Sequence, residues 1–134
     1  MGEYDLMLER DYNLFLEERL TIYLLILKIS PNLRGYAFLK EGVKKIVEDS
    51  TKKHNVNNRL YSELASEFEI SQDLIDRAMR HAIDVSYKRG GIVDFEKRMK
   101  IDFSNDKPTP RELLCTMAEK VMVEVNMLGF NKNK

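Results

Sequence analysis

Seven side chains between Gln72 and Arg89 have the types and spacing to address a DNA duplex: Gln72, Asp76, Arg77, Arg80, His81, Lys88 and Arg89. An arginine fork matches the O6/N7 edge of guanine, a glutamine matches adenine, and a carboxylate accepts from cytosine N4. Gln72, Asp76 and Arg77 fall at the start of a helical pattern, the part of a reading helix that reaches base edges. Arg80, His81, Lys88 and Arg89 lie further along, where phosphate or mixed contacts are expected. With Ile75, Ala78, Ala82 and Val85 turned inward, Asp73, Asp76, Arg77, Arg80 and Asp84 form one outward stripe. The same spacing supports a plainer reading. Asp73 then complements the helix dipole, and Asp76/Arg80 and Asp84/Lys88 are surface i,i+4 ion pairs.

No other chemistry competes. His54 and His81 stand apart and outside any H-E-x-x-H pattern, there is no glycine-rich phosphate loop, and the single cysteine, Cys115, excludes a cysteine-based zinc site. Catalytic residues, metal ligands and cofactors are therefore not expected. Cys115 sits beside Leu114, Met117 and Ala118 and reads as an inert buried thiol in a reducing cytoplasm.

The stripe needs a scaffold, and the pattern around it is a helix-turn-helix from Arg59 to Gly91. Leu60, Tyr61, Leu64, Ala65 and Phe68 recur at helical spacing, then Ile75, Ala78, Met79, Ala82 and Val85 do so again. Ser71 is placed to cap the second helix, with Ile70 stapled to Ile75, and Lys88-Arg89-Gly90-Gly91 reads as its stop. Upstream, a first helix is expected over Tyr12 to Ile29, ending before Pro31, and a second from Leu33 to about Asp49, capped by Asn32. Gly42 within it costs ~1 kcal/mol relative to alanine, which a close helix contact would explain. Ser50 to Asn58 reads as a connector. Downstream, a short helix is expected around Asp94 to Met99. Thr109-Pro110-Arg111-Glu112 is a capping box opening a last helix that runs to Gly129, with Asn131 to Lys134 frayed.

These patterns predict an all-α single compact domain of about six helices around a central helix-turn-helix. An acidic N-terminal extension, residues 1–19, precedes a domain over residues 20–130. The extension carries Leu6, Leu8, Leu14, Phe15 and Leu16, which either extend the core or form a dimer contact. Glu3, Asp5, Glu9 and Asp11 leave no positive start for a signal peptide, and the apolar run Leu20 to Ile29 is too short to span a bilayer, so the chain is expected in the cytoplasm and off the membrane. Net charge is zero, but its distribution is uneven. Arg34 to Leu60 holds seven bases against three acids and Arg77 to Lys100 seven against three, while Tyr61 to Asp76 holds five acids and no base. A DNA-binding surface must be assembled by folding the basic blocks onto one side.

The run RAMRHAIDVSYKRGGI, Arg77 to Ile92, resembles the C-terminal DNA-binding effector domain of the stage-zero sporulation response regulator of endospore-forming bacteria. RGYAFLKEGV at Arg34 to Val43, and KPTPREL with TMAEKV, extend the similarity over about Leu20 to Glu124. The resemblance implies a six-helix bundle, sequence-specific binding to double-stranded DNA often as tandem copies or a homodimer on DNA, and transcription control at entry into sporulation. It puts the family's base-reading Glu-Arg pair at Asp76 and Arg77, and its Arg-His pair at Arg80 and His81. The approach to that stripe departs from the family. Ser66 and Glu67 replace two lysines, Leu74 replaces an arginine, and Glu67, Glu69 and Asp73 add negative charge. The twenty or so residues before the 20–130 domain leave no room for the family's phospho-accepting receiver domain, so a stand-alone effector without that switch is expected. The alternative is an interaction protein of the same fold, modulating or antagonising a full-length sporulation regulator.

Overall fold

The computed structural model describes residues 3–49 and 56–129, and in them six α-helices and no strand. They are α1 (Glu3–Ile26), α2 (Arg34–Glu48), α3 (Tyr61–Phe68), α4 (Gln72–Lys88), α5 (Gly91–Met99) and α6 (Pro110–Met127), with a π-helical turn at Val56–Leu60 leading into α3. Most of the Ser50–Asn58 connector, His54, and the expected fraying at Asn131 to Lys134 lie outside the described residues.

Helix α1 starts well before Tyr12, at Glu3, because nothing in the sequence breaks the helix there; Tyr12 and Leu16 are buried in the core together with Leu20, Tyr23, Leu24 and Leu27. Leu14 of the same stretch is solvent-exposed. The helix also stops early, at Ile26 rather than Ile29. Lys28 takes a left-handed conformation (φ 58°), and the Lys28 and Ile29 N–H groups donate to the carbonyls of Leu25 and Leu24 at 2.9 and 3.0 Å. That is a Schellman closure with lysine where glycine would normally advertise it. Pro31 then lies in a turn closed by Leu33 N–H to Ser30 C=O at 3.0 Å, and Leu33, not Asn32, occupies the N-cap of α2 without any side-chain cap.

Helix α2 lies at the centre, packed chiefly on α4 and α6. Its two glycines are seven residues apart and so share a face. A Cβ at Gly35 would sit 2.4 Å from the Ala78 carbonyl oxygen and 2.8 Å from the Ala82 Cβ of α4, and one at Gly42 would sit 2.9 Å from Leu114 of α6. The close contact expected of Gly42 is present, and Gly35 makes a closer one. Phe38 of α2 meets Phe68 of α3 edge to face at 5.0 Å, while Tyr23 of α1 meets Phe95 of α5 in the same way at 5.8 Å. Helix α6 opens with the expected capping box: Glu112 N–H donates to Thr109 Oγ1 and Thr109 N–H to Glu112 Oε1, each at 3.1 Å, with Pro110 in the first turn. Its far end is tied to α1, where Arg19 pairs with Glu124 at 2.6 Å and the Tyr23 hydroxyl donates to the same carboxylate.

The α2–α4 contact leaves no space for a methyl group. Gly35→Ala gains helix propensity of ~1 kcal/mol but forces two backbones apart, and overpacking of this kind costs ~1–3 kcal/mol or more. We expect a net loss of stability in urea unfolding, seen as a lower midpoint at unchanged slope; a midpoint equal to or above that of the parent would contradict the contact.

Candidate nucleic-acid interface

Helices α3 and α4 form the helix-turn-helix. The turn between them is three residues, Glu69 to Ser71, made sharp by Glu69 in the left-handed region (φ 57°) and by Ile70 N–H donating to the Ala65 carbonyl at 3.1 Å. Ser71 caps α4 as expected, its Oγ accepting from Leu74 N–H at 3.2 Å, with Asp73 in the first turn. At the other end Gly90 (φ 77°) closes α4 before α5 begins at Gly91, three residues earlier than expected. The buried face of α4 is Ile75, Met79, Ala82, Ile83 and Ser86; Ala78 and Val85, expected inward, flank it half-buried.

The opposite face is the polar stripe. Gln72, Arg77, Arg80, His81 and Lys88 are all solvent-exposed. Arg77 and Lys88 stand about 16 Å apart along the axis, from the rise per residue. Arg89 is not part of the stripe: it is the C-cap residue of α4, and its carbonyl accepts a hydrogen bond from Lys28 at 3.0 Å. Lys28 also pairs with Asp94 of α5 at 3.2 Å, so one ammonium ties the end of α1 to α4 and α5.

The plainer reading, i,i+4 ion pairs along the exposed face, is present in the structure. Asp73 pairs with Arg77 at 3.2 Å, Asp76 with Arg80 at 2.8 Å and Asp84 with Lys88 at 3.1 Å, each acid four residues before its base. Exposed pairs of this kind are worth ~0.2–1 kcal/mol, whereas a bidentate arginine–guanine contact discriminates by ~1–3 kcal/mol. The Asp73–Arg77 pair is therefore a weak, exchangeable one. Asp76 is different. It is half-buried, its Oδ1 accepts from the Tyr61 hydroxyl of α3 at 2.9 Å, and its Oδ2 accepts from Arg80 Nε at 2.8 Å. Its hydrogen bond to Arg80 raises that guanidinium's pKa further. The residue expected to face cytosine thus has both oxygens engaged.

The acidic approach is less exposed to a ligand than its composition suggests. Glu67 pairs with Lys45 of α2 at 2.6 Å, and this hydrogen bond raises the Lys45 ammonium above its ordinary value. The ammonium's contribution to the link holds through neutral pH and is lost as pH rises through that raised value. With Asp73 on Arg77, Glu69 is the one of the three added acids that makes no ion pair among the described residues.

Two participants escaped the sequence reading. Tyr61 was placed on the apolar face, and nothing local marks its hydroxyl as the partner of a carboxylate fifteen residues on. Lys107, in the irregular stretch before α6, pairs with Asp84 at 3.1 Å and lies over the Tyr87 ring. Cys115 is half-buried rather than buried, at the edge of a surface depression lined by Phe103 and Arg111, remote from the stripe in lining. Among the described residues no helix is long and apolar enough to cross a membrane, and no group of three His, Cys, Asp or Glu side chains could hold a metal.

A family model described as the sporulation initiation factor Spo0A C terminal matches residues 21–121, from the last turns of α1 to within α6. The chain belongs to this family. It is a family of DNA-binding transcription factor domains linked to sporulation, not an enzyme class. The matched span contains the whole helix-turn-helix and every residue of the polar stripe.

Lys88 and Lys107 together hold the Asp84 carboxyl below its usual value. A depressed carboxylate contributes stability that is present above the unfolded value, ~3.9, and is lost as pH falls through the folded value. The side-chain carboxyl resonance of Asp84 is expected to titrate with a midpoint below ~3.9, and Lys107→Met to move that midpoint upward; a midpoint unmoved by the substitution would refute the tie.

Proposed function

We propose that this protein is a sequence-specific DNA-binding regulator of sporulation-linked transcription that inserts α4 into the major groove. The observation carrying this reading is the solvent face of α4: an exposed arginine pair, Arg77 and Arg80, with His81 beside it and Lys88 about 16 Å from Arg77 along the axis. That separation suits a helix whose first turns meet base edges while its far end meets the phosphate backbone. Arg77 and Gln72 are the base readers, with Asp76 serving at the base edge through the arginine it holds. His81, Lys88 and Arg89 contact phosphates, and the protein works in the cytoplasm on double-stranded DNA, as tandem copies or a homodimer on adjacent sites.

Glu69 favours a second role for the same fold. An acid unpaired among the described residues, at the apex of the turn, repels a phosphate backbone and suits a protein partner such as a full-length sporulation regulator. Binding to a duplex selected from a random pool, compared with a scrambled duplex over a salt series, separates the two. On the first reading Arg77→Ala costs ~1–3 kcal/mol on the selected duplex and relaxes preference at one base pair. Lys88→Ala weakens both duplexes alike and reduces the salt slope by about 1. Absence of any preference at low salt would sink DNA reading and leave the interaction role. Glu69→Asn, which keeps a residue type tolerant of the left-handed turn, is expected to tighten binding to both duplexes equally, measured by the same titration; unchanged affinity would show that the turn does not approach DNA.

A further inference from the structure

Two arginines stand on the reading face, and the structure treats them differently. Arg77 leans on Asp73, a carboxylate 77% exposed that accepts from no other described group. Arg80 leans on Asp76, which is 28% exposed and fixed from its other side by the Tyr61 hydroxyl. Tyr61 is itself 5% exposed, the first residue of α3, with its ring in the core and only its hydroxyl turned to α4. Its position is therefore set by core packing, not by solvent.

The chain of contacts runs from the core outward: Tyr61 Oη donates to Asp76 Oδ1, and Asp76 Oδ2 receives Arg80 Nε. This engages the inner edge of the guanidinium through Nε alone. The two terminal nitrogens of Arg80 make no hydrogen bond among the described residues, and they are the pair that would address guanine O6 and N7. An unheld arginine surrenders up to ~2 kcal/mol of rotamer freedom when it binds, so a fork fixed in advance discriminates better than a loose one.

We infer that Tyr61 is a positioning residue for DNA reading: its hydroxyl fixes the Asp76 carboxylate, which aims Arg80 as a guanine-selective contact rather than a phosphate clamp. This rests on the DNA-binding role proposed above. Asp76 then works through Arg80 instead of accepting from cytosine, and Arg77 is the more adaptable of the two arginines. Burial, then the Asp76 hydrogen bond and charge, raise the Tyr61 phenol above its ordinary value, so the hydroxyl remains a donor throughout the physiological range.

Tyr61→Phe deletes one oxygen and keeps the ring that packs in the core. The first readout needs no DNA: the Nε–Hε resonance of Arg80, whose exchange with water should be slowed in the parent and return to that of an exposed arginine in the variant. The second is the ratio of affinities for the selected and scrambled duplexes, expected to fall about three- to tenfold, the worth of one hydrogen bond, with scrambled-duplex affinity unchanged. In an Arg80→Ala background the same tyrosine substitution should leave that ratio where it was. An Arg80 resonance indifferent to Tyr61→Phe overturns the relay, as does a ratio that stays constant or a loss shared equally by both duplexes. If the parent itself shows no preference, the DNA-reading proposal fails, and the Arg80 resonance alone decides whether the relay exists.

Discussion

Helix α4 is held by a contact between two backbones. Gly35 of α2 brings its main chain against the Ala78 carbonyl and the Ala82 side chain, nearer than any residue with a Cβ allows. Everything on the outer face of α4 inherits its placement from that contact, because the inner face is pressed directly on the central helix. Gly42, two turns later on the same face, does the same against Leu114 of α6. Helix α2 is thus a rail with two notches, one seating α4 and the other α6. The ~1 kcal/mol each glycine costs its own helix is small beside the burial gained when helices close to this distance.

The remaining restraints on α4 come from its ends and are polar. Ser71 caps its start, Lys28 holds its final carbonyl, and Lys107 draws the stretch before α6 onto Asp84. Lys45 and Glu67, with Phe38 against Phe68, hold α3 to α2. Each surface link is weak. Their effect is to fix orientation where the apolar core, being non-directional, does not.

Local signals were legible where the chain carries them in adjacent residues. The Thr109–Glu112 capping box, the Ser71 cap and the Gly90 stop appear as expected, and the two apolar stripes of the helix-turn-helix do so in part, with Ile83 and Ser86 rather than Ala78 and Val85 completing the buried face of α4. Illegible features depend on non-local geometry or on an unexpected residue type. Lys28, Glu69 and Lys100 take left-handed conformations that glycine would have advertised, so α1 ends three residues before its sequence pattern does. The early start of α5 at Gly91 follows the close approach of its backbone to Leu27, which no pattern within the segment reveals. For the site, the spacing of Asp73, Asp76, Arg77 and Arg80 was visible, but which acids are spent was not. That Asp76 is held from α3 and Glu67 from α2 requires the tertiary structure.

The self-pairing of the α4 stripe also bears on how such a protein would travel along a chromosome. Three of its cations carry their own carboxylates as resident counterions. A surface that arrives partly neutralised displaces fewer ions from DNA of random sequence and is held there less tightly. On the proposed role, its dwell time on wrong sites would be correspondingly short. On the proposed DNA-reading role, an arginine that exchanged its carboxylate for a guanine edge would do so as a local event, and residence would lengthen at the correct site instead of everywhere.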